Sequence, residues 1–248
     1  MAAKIVKEFR GHSGSRIFLM TKRDNLFVRK QGNIARNLDR YEQLKALHIP
    51  MPAVYHMFDD TIDMEYIDGI GMETYLESRQ PDNLLYFLES LINKFSMTIR
   101  LVDYRPTVEQ FLDLINLDDF PFSENDILDL VPARIPASPY HGDLTLENIL
   151  WNDQQGFVAI DGQSGIWDSY IFDICKLRQD LKCKWFIRDT DLDLSDKLEY
   201  IETQLLQRWP LANNVGLLIL MLLRVYRYCA EGSSEQEFIH REIYRLWK

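Results

Sequence analysis

The stretch His141–Asp161, HGDLTLENILWNDQQGFVAID, decides how the rest of the chain is read. It sets an Asp and an Asn five residues apart, Asp143 and Asn148, and ends the short strand-like segment FVAID on a second Asp, Asp161. A carboxylate and an amide oxygen are the hard donors that magnesium accepts while it keeps several waters. Phosphoryl transfer asks little covalent chemistry of a protein. The phosphates must be held, their charge neutralised and the acceptor hydroxyl oriented. In that division of labour Asn148 and Asp161 are candidate metal ligands, and Asp143 is the candidate to align or accept the proton of the incoming hydroxyl.

Composition narrows the alternatives. The 248 residues suffice for one large domain or two parts, of roughly 100 residues each. The net charge of -10 argues against a nucleic-acid partner, which needs a basic face, and permits a cationic acceptor without requiring one. Three cysteines, Cys175, Cys183 and Cys229, make an odd count in apolar contexts and read as buried free thiols rather than a disulfide framework. The first residues lack the apolar region of a signal peptide. The most apolar run, Val215–Leu223, is far short of the ~20 residues that span a bilayer, so a buried helix, no membrane and a cytoplasmic location are expected.

Before the central stretch the pattern changes once. KIVKEF, RIFLM, LFVRK, MPAVYHMF and TIDMEYI read as five strands, with Asp59-Asp60 at the last turn, and apolar residues at three-residue steps from Leu38 to Leu47 predict a helix over 35–48. Between the first two strands lies GHSGS. Gly11, Ser13, Gly14 and Ser15 can let the backbone approach and donate N–H groups to phosphate oxygens. Alternation along LFVRK puts Lys30 on the face of Val28, where a lysine can reach nucleotide phosphates; Arg29 is its competitor. Glu42 on the helix is the chosen acid partner for Lys30, with Asp39 next. From Met72 onward the pattern is helical: METYLES, a long helix from Asp82 to Asp103, pieces at 107–117 and 124–131, then helices near 170–184, 195–208, 213–230 and 235–247. The expected organisation is an N-terminal nucleotide-binding part, residues 1–69, and a catalytic and acceptor-binding part, residues 70–248, with the ligand between them.

YHGDLTLENILW followed by GFVAIDGQSGIWDSYIFDICKL resembles the aminoglycoside phosphotransferase and choline kinase family. That family reads H-G-D-x-x-x-x-N, then I-D-x-x-x-x-G-x-x-D-x-x-x-D, and this chain supplies Asp161, Gly165, Asp168 and Asp173 for the second motif. The resemblance runs from about residue 5 to residue 180 and includes the Gly/Ser loop, Lys30 and Ile49-Pro50-Met51-Pro52. It implies an α+β, bilobal protein kinase-like fold: a small antiparallel β N-lobe with one helix and a larger, mostly helical C-lobe. It also implies a small-molecule kinase that uses ATP or GTP with Mg2+ and moves the γ-phosphoryl group to a hydroxyl. The acceptor would be an aminoglycoside, a sugar, a choline-like amine or an amino alcohol. By the same resemblance Asp143 is the catalytic base, Asn148 and Asp161 hold magnesium, Lys30 binds the α/β-phosphates, and Met64, Glu65, Tyr66 and Ile67 form a hinge that reads the nucleobase. His141 would brace the loop, and Asp173 would hold it by hydrogen bonds. Two departures stand out: Gly162-Gln163-Ser164 follows the metal Asp, and the glutamate for Lys30 is not cleanly placed. They motivate an alternative, a catalytically weak kinase-like nucleotide-binding or scaffold protein. Acidic stretches at 117–129 and 189–196 are candidates for the acceptor side.

Overall fold

The structure, a computed structural model, describes residues 3–9, 15–32, 35–58 and 60–248. Gly11, Ser13 and Gly14 of the Gly/Ser loop, and Asp59 of the turn, lie outside the described residues. The chain forms two compact units: Met1–Tyr75 with Glu147–Ser164, and Leu76–Leu146 with Gly165–Lys248. The first joins residues 147–164 to the N-terminal set, because the strand Ile149–Asn152 pairs with Ile70–Gly71.

The first unit holds an antiparallel five-stranded sheet of β1 (Lys4–Phe9), β2 (Arg16–Lys22), β3 (Asn25–Gln31), β4 (Val54–Phe58) and β5 (Thr61–Glu65), in the order β1-β2-β3-β5-β4. In register, Val28 faces Met64 and Lys30 faces Ile62. The two-residue period puts these four on one side. There Ile62 and Met64 pack with Val28 and Met57, while Phe18, Met20 and Phe27 form a separate cluster. The helix α1 (Ala35–Ala46) buries Tyr41 and Leu44 of its apolar row. A second, three-stranded sheet pairs β6 (Ile70–Gly71) with β9 (Ile149–Asn152) and β9 with β10 (Gly156–Ala159). The rings of Tyr75, Trp151 and Phe157 meet over it at centroid distances of 4.6–5.2 Å.

The second unit is mostly helical: α2 (Met72–Ser78) leads into it, followed by α3 (Asp82–Ser96), α4 (Arg105–Leu112), α5 (Glu124–Leu130), α6 (Tyr170–Leu181), α7 (Ser195–Arg208), α8 (Val215–Tyr226) and α9 (Ser234–Trp247). The long helix expected to run to Asp103 stops at Ser96, whose hydroxyl turns back to Asn93 O at 3.0 Å. The β-branched Thr98, Ile99 and Val102 beyond it suit extended backbone. That segment forms β7 (Arg100–Val102), paired with β8 (Ile135–Ala137). A proline is tolerated here because in a two-stranded sheet every other N–H points away from the partner strand, and a proline at such a position loses no ladder bond. The piece expected over 107–117 is shorter and earlier, and α8 is shorter than 213–230.

In α8, Gly216–Leu223 is buried throughout, as an all-apolar helix in a core must be. Cys175 and Cys183 are buried and Cys229 half-buried, all as free thiols; burial pushes the first two up to about 12, so they are poor nucleophiles. Among the described residues no helix is long and apolar enough to cross a membrane.

Candidate active site

In the first unit, a short hairpin brings two of the oxygen donors together. Asn148 ends a 3-10 turn, Leu146–Asn148, immediately before β9, and Asp161 follows β10. Ile149 pairs with Ala159, and Ile160 N donates to Asn148 O at 2.9 Å. The residues on either side of that last bond are therefore neighbours by strand pairing alone. Asp161 has φ 57°, in the left-handed region that Asp tolerates far better than a β-branched residue. Its carboxylate remains 26% exposed, and its Oδ1 accepts from the ammonium of Lys30, whose side chain is only 9% exposed.

This pairing corrects the expected partner of Lys30. Glu42 is exposed on α1, because it lies outside the row of Tyr41 and Leu44 that the helix buries. The competitor Arg29 points to the other side of the sheet, where its guanidinium grips Asp63 at 2.6 and 2.7 Å. Tyr41 lies close enough to Asp161 to feel its charge; burial, then that charge, push the phenol well above its ordinary value. Gly162 has a packing reason: a Cβ there would sit 2.7 Å from Leu44 Cδ1 and 3.4 Å from Met51 Cε.

Ser15 lies against Gly32, just past β3: a Cβ on that glycine would meet Ser15 Oγ at 2.9 Å. Of the four residues expected to form a hinge, Met64 and Ile67 are buried, and Glu65 and Tyr66 are half-buried. The Glu65 amide already donates to Ala53 O at 2.8 Å, and its side chain accepts from Ala53 N and Gln155 Nε2.

In the second unit, the loop carrying Asp143 is strapped to one face of α6. Ser169 caps the helix through Ile171 N. In its first turn, Asp173 accepts from His141 N at 2.5 Å and from Gly142 N at 2.8 Å, which is the loop-holding role the resemblance implied. Two turns on, Asp180 accepts from Leu146 N at 2.6 Å. Between them Lys176 places Nζ 3.3 Å from Asp143 Oδ1. From α8, Arg224 donates to Gly142 O at 3.2 Å. Gly142 has φ 92°, a conformation open to glycine, which accounts for Gly beside His141. Burial alone would raise the Asp143 carboxyl, but Lys176, then Arg224 and His141, hold it below its ordinary range. Burial pulls Lys176 and Arg224 below theirs, with Asp143 opposing in both.

Asp168 receives the Tyr104 hydroxyl, and its carbonyl accepts from Ser138 N, so it anchors the approach to α6. In the acidic stretches, Asp126 completes a capping box with Ser123, and Asp193 accepts from Ser195. Lys176, Asp180 and Arg224 escaped the sequence reading. The signal for two of them was present: FDICKLRQD carries polar residues at 173, 176 and 180 on a helix that is buried from Ile171 to Leu181. Among the described residues no group of three or more His, Cys, Asp or Glu could hold a metal ion; one carboxylate and one amide oxygen suit an ion that completes its shell with phosphates and water.

No protein-family model and no curated protein sequence matches the chain. Solved structures do. A thermostable mutant of aminoglycoside phosphotransferase APH(4)-Ia, in its apo form, superposes with a TM-score of 0.67 at 11% identity, covering 99% of this chain and 94% of that one. Choline kinase LicA from Streptococcus pneumoniae gives 0.59 at 11% identity, over 99% and 92%. A Haemophilus somnus 129PT protein assigned as a fructosamine-3-kinase gives 0.61 at 13% identity, over 100% and 92%. The fold is that of the kinase-like α+β proteins to which the motifs pointed. One structure of the APH(4)-Ia mutant is a ternary complex with ADP and hygromycin B, another one with AMP-PNP and hygromycin B, and one of LicA contains AMP.

Proposed function

We propose that the chain is a small-molecule kinase that moves the γ-phosphoryl group of a nucleoside triphosphate to a hydroxyl. The observation that carries this reading is the Lys30–Asp161 ion pair at the hairpin end that also bears Asn148. A cation for phosphate oxygens meets a carboxylate there, and Asn148, on the paired strand end, adds an amide, the donor types that suit a phosphate-bound magnesium ion. Magnesium would be held by Asn148 and Asp161, and it supplies charge neutralisation on the phosphates. Lys30 holds the α/β-phosphates. Asp143 takes the proton as the acceptor oxygen bonds to the γ-phosphorus and the bond to the β-phosphate oxygen breaks, leaving a phosphate ester and a nucleoside diphosphate. Ser15 and the rest of the Gly/Ser loop, Gly11, Ser13 and Gly14, are assigned to phosphate binding by the sequence motif alone, and the 64–67 segment reads the base edge through backbone groups other than the Glu65 amide.

ATP is favoured by the adenine nucleotides of the structural relatives. A hydroxyl-bearing acceptor is favoured by the hygromycin B in two of them. The scaffold alternative drew on Gly162-Gln163-Ser164, and tight packing at Gly162 gives one of these three residues a structural reason. The test is a screen of aminoglycosides, sugars, choline-like amines and amino alcohols for magnesium-dependent ADP or GDP release. A hit that survives Asp143→Ala refutes the mechanism.

A further inference from the structure

We propose that Lys176 is a positioning residue for this phosphoryl transfer, holding the Asp143 carboxylate in its reactive orientation; the inference rests on the small-molecule kinase reading above. Lys176 lies in the middle of a helix whose residues from Ile171 to Leu181 are all buried. An ammonium in such a place is costly unless it is paired, and a leucine there would be cheaper for the core alone. Its Nζ meets Asp143 Oδ1 at 3.3 Å. The acids one turn to either side are committed to the backbone of the same loop: Asp173 to the amides of His141 and Gly142, Asp180 to the amide of Leu146. Arg224, from α8, takes the carbonyl of Gly142.

These contacts divide the work. Asp173, Asp180 and Arg224 fix the loop backbone on both sides of Asp143. Those bonds go to the main chain of the loop. Lys176 reaches the carboxylate itself. Proximity chemistry is sensitive to this: a displacement of 1 Å at a reacting group can cost on the order of 100-fold in rate. Loss of the ammonium should therefore appear in turnover rather than in nucleotide binding.

The experiment uses the full chain with magnesium-ATP and water as the acceptor, and compares wild type, Lys176→Gln and Lys176→Arg. The expected result is a kcat about 10- to 100-fold lower in Lys176→Gln, an unchanged KM for ATP, and recovery of most of the loss in Lys176→Arg. A kcat within twofold of wild type in Lys176→Gln overturns the proposal. So does a parallel change of kcat and KM, which marks a general structural role. A second readout does not depend on turnover: the carboxyl 13C resonance of Asp143, assigned through Asp143→Asn, should move in Lys176→Gln at neutral pH and return in Lys176→Arg. If wild type shows no magnesium-dependent turnover while that resonance still moves and returns, the contact stands and the kinase reading falls. If Lys176→Gln does not fold, the reciprocal measurement decides. The Lys176 Nζ resonance must shift in Asp143→Asn, and an unchanged resonance overturns the proposal.

Discussion

Lys30, on β3, donates its ammonium to the carboxylate of Asp161, 131 residues later in the chain. The lysine is buried by the sheet, whereas the aspartate stays partly open to solvent. In the proposed function each exchanges this partner, the ammonium for phosphate oxygens and the carboxylate for a cation. The pair also separates Lys30 from Arg29, which spends its guanidinium on Asp63.

That separation is testable. Lys30→Met should weaken magnesium-nucleotide binding at least about tenfold, since it removes a charge-assisted contact of about 1.5–3 kcal/mol. Arg29→Gln should leave nucleotide affinity within about twofold and lower the melting temperature instead, because it strips Asp63 of its bidentate partner. Calorimetric titration with AMP-PNP and a thermal melt of each variant check both.

Asp173→Asn tests the strap on the loop. An amide keeps one acceptor oxygen but turns an NH2 group toward one of the two N–H donors of His141 and Gly142. Stability should fall by about 2–3 kcal/mol in chemical denaturation, and turnover should fall with it.

The charges around Asp143 set a pH expectation. Its folded-state carboxyl lies below the ordinary value, because Lys176, Arg224 and His141 outweigh the opposing effect of burial. A carboxyl depressed in this way contributes stability that is fully present above its unfolded value of about 4 and is lost as pH falls through the lower folded value. A kcat profile should therefore show no carboxylate limb between about pH 5 and 7. A limb near pH 6 assigned to Asp143 would contradict the pairing.

Gly162→Ala should destabilise the chain by about 1–3 kcal/mol, as overpacking does. The new Cβ would press on Leu44, which is fully buried and has little room to yield. Denaturant unfolding measures the cost. An alanine accepted at no cost would refute the packing account of Gly162.

The five strands of the first sheet and most of the helices were legible because their signals are local. Alternation in LFVRK placed Lys30 on the side of Val28, and three-residue steps marked α1. The tail expected on α3 failed because Thr98, Ile99 and Val102 weigh little against a strong amphipathic pattern, until β8 offers them a partner. Glu42 failed as the partner of Lys30 because the side of a helix that faces the sheet depends on how the helix packs, which spacing alone does not reveal.

The sequence by itself determined the kinds of donor in His141–Asp161 and their spacing, since five residues of loop and one hairpin are short-range matters. It also determined that Gly142 and Gly162 carry no side chain. Only the tertiary structure decided who meets whom: Lys30 with Asp161, Lys176 with Asp143, Arg224 with Gly142. These contacts join residues far apart in the chain. Their charges are held together by burial, and burial is a property of the packed core rather than of any one segment.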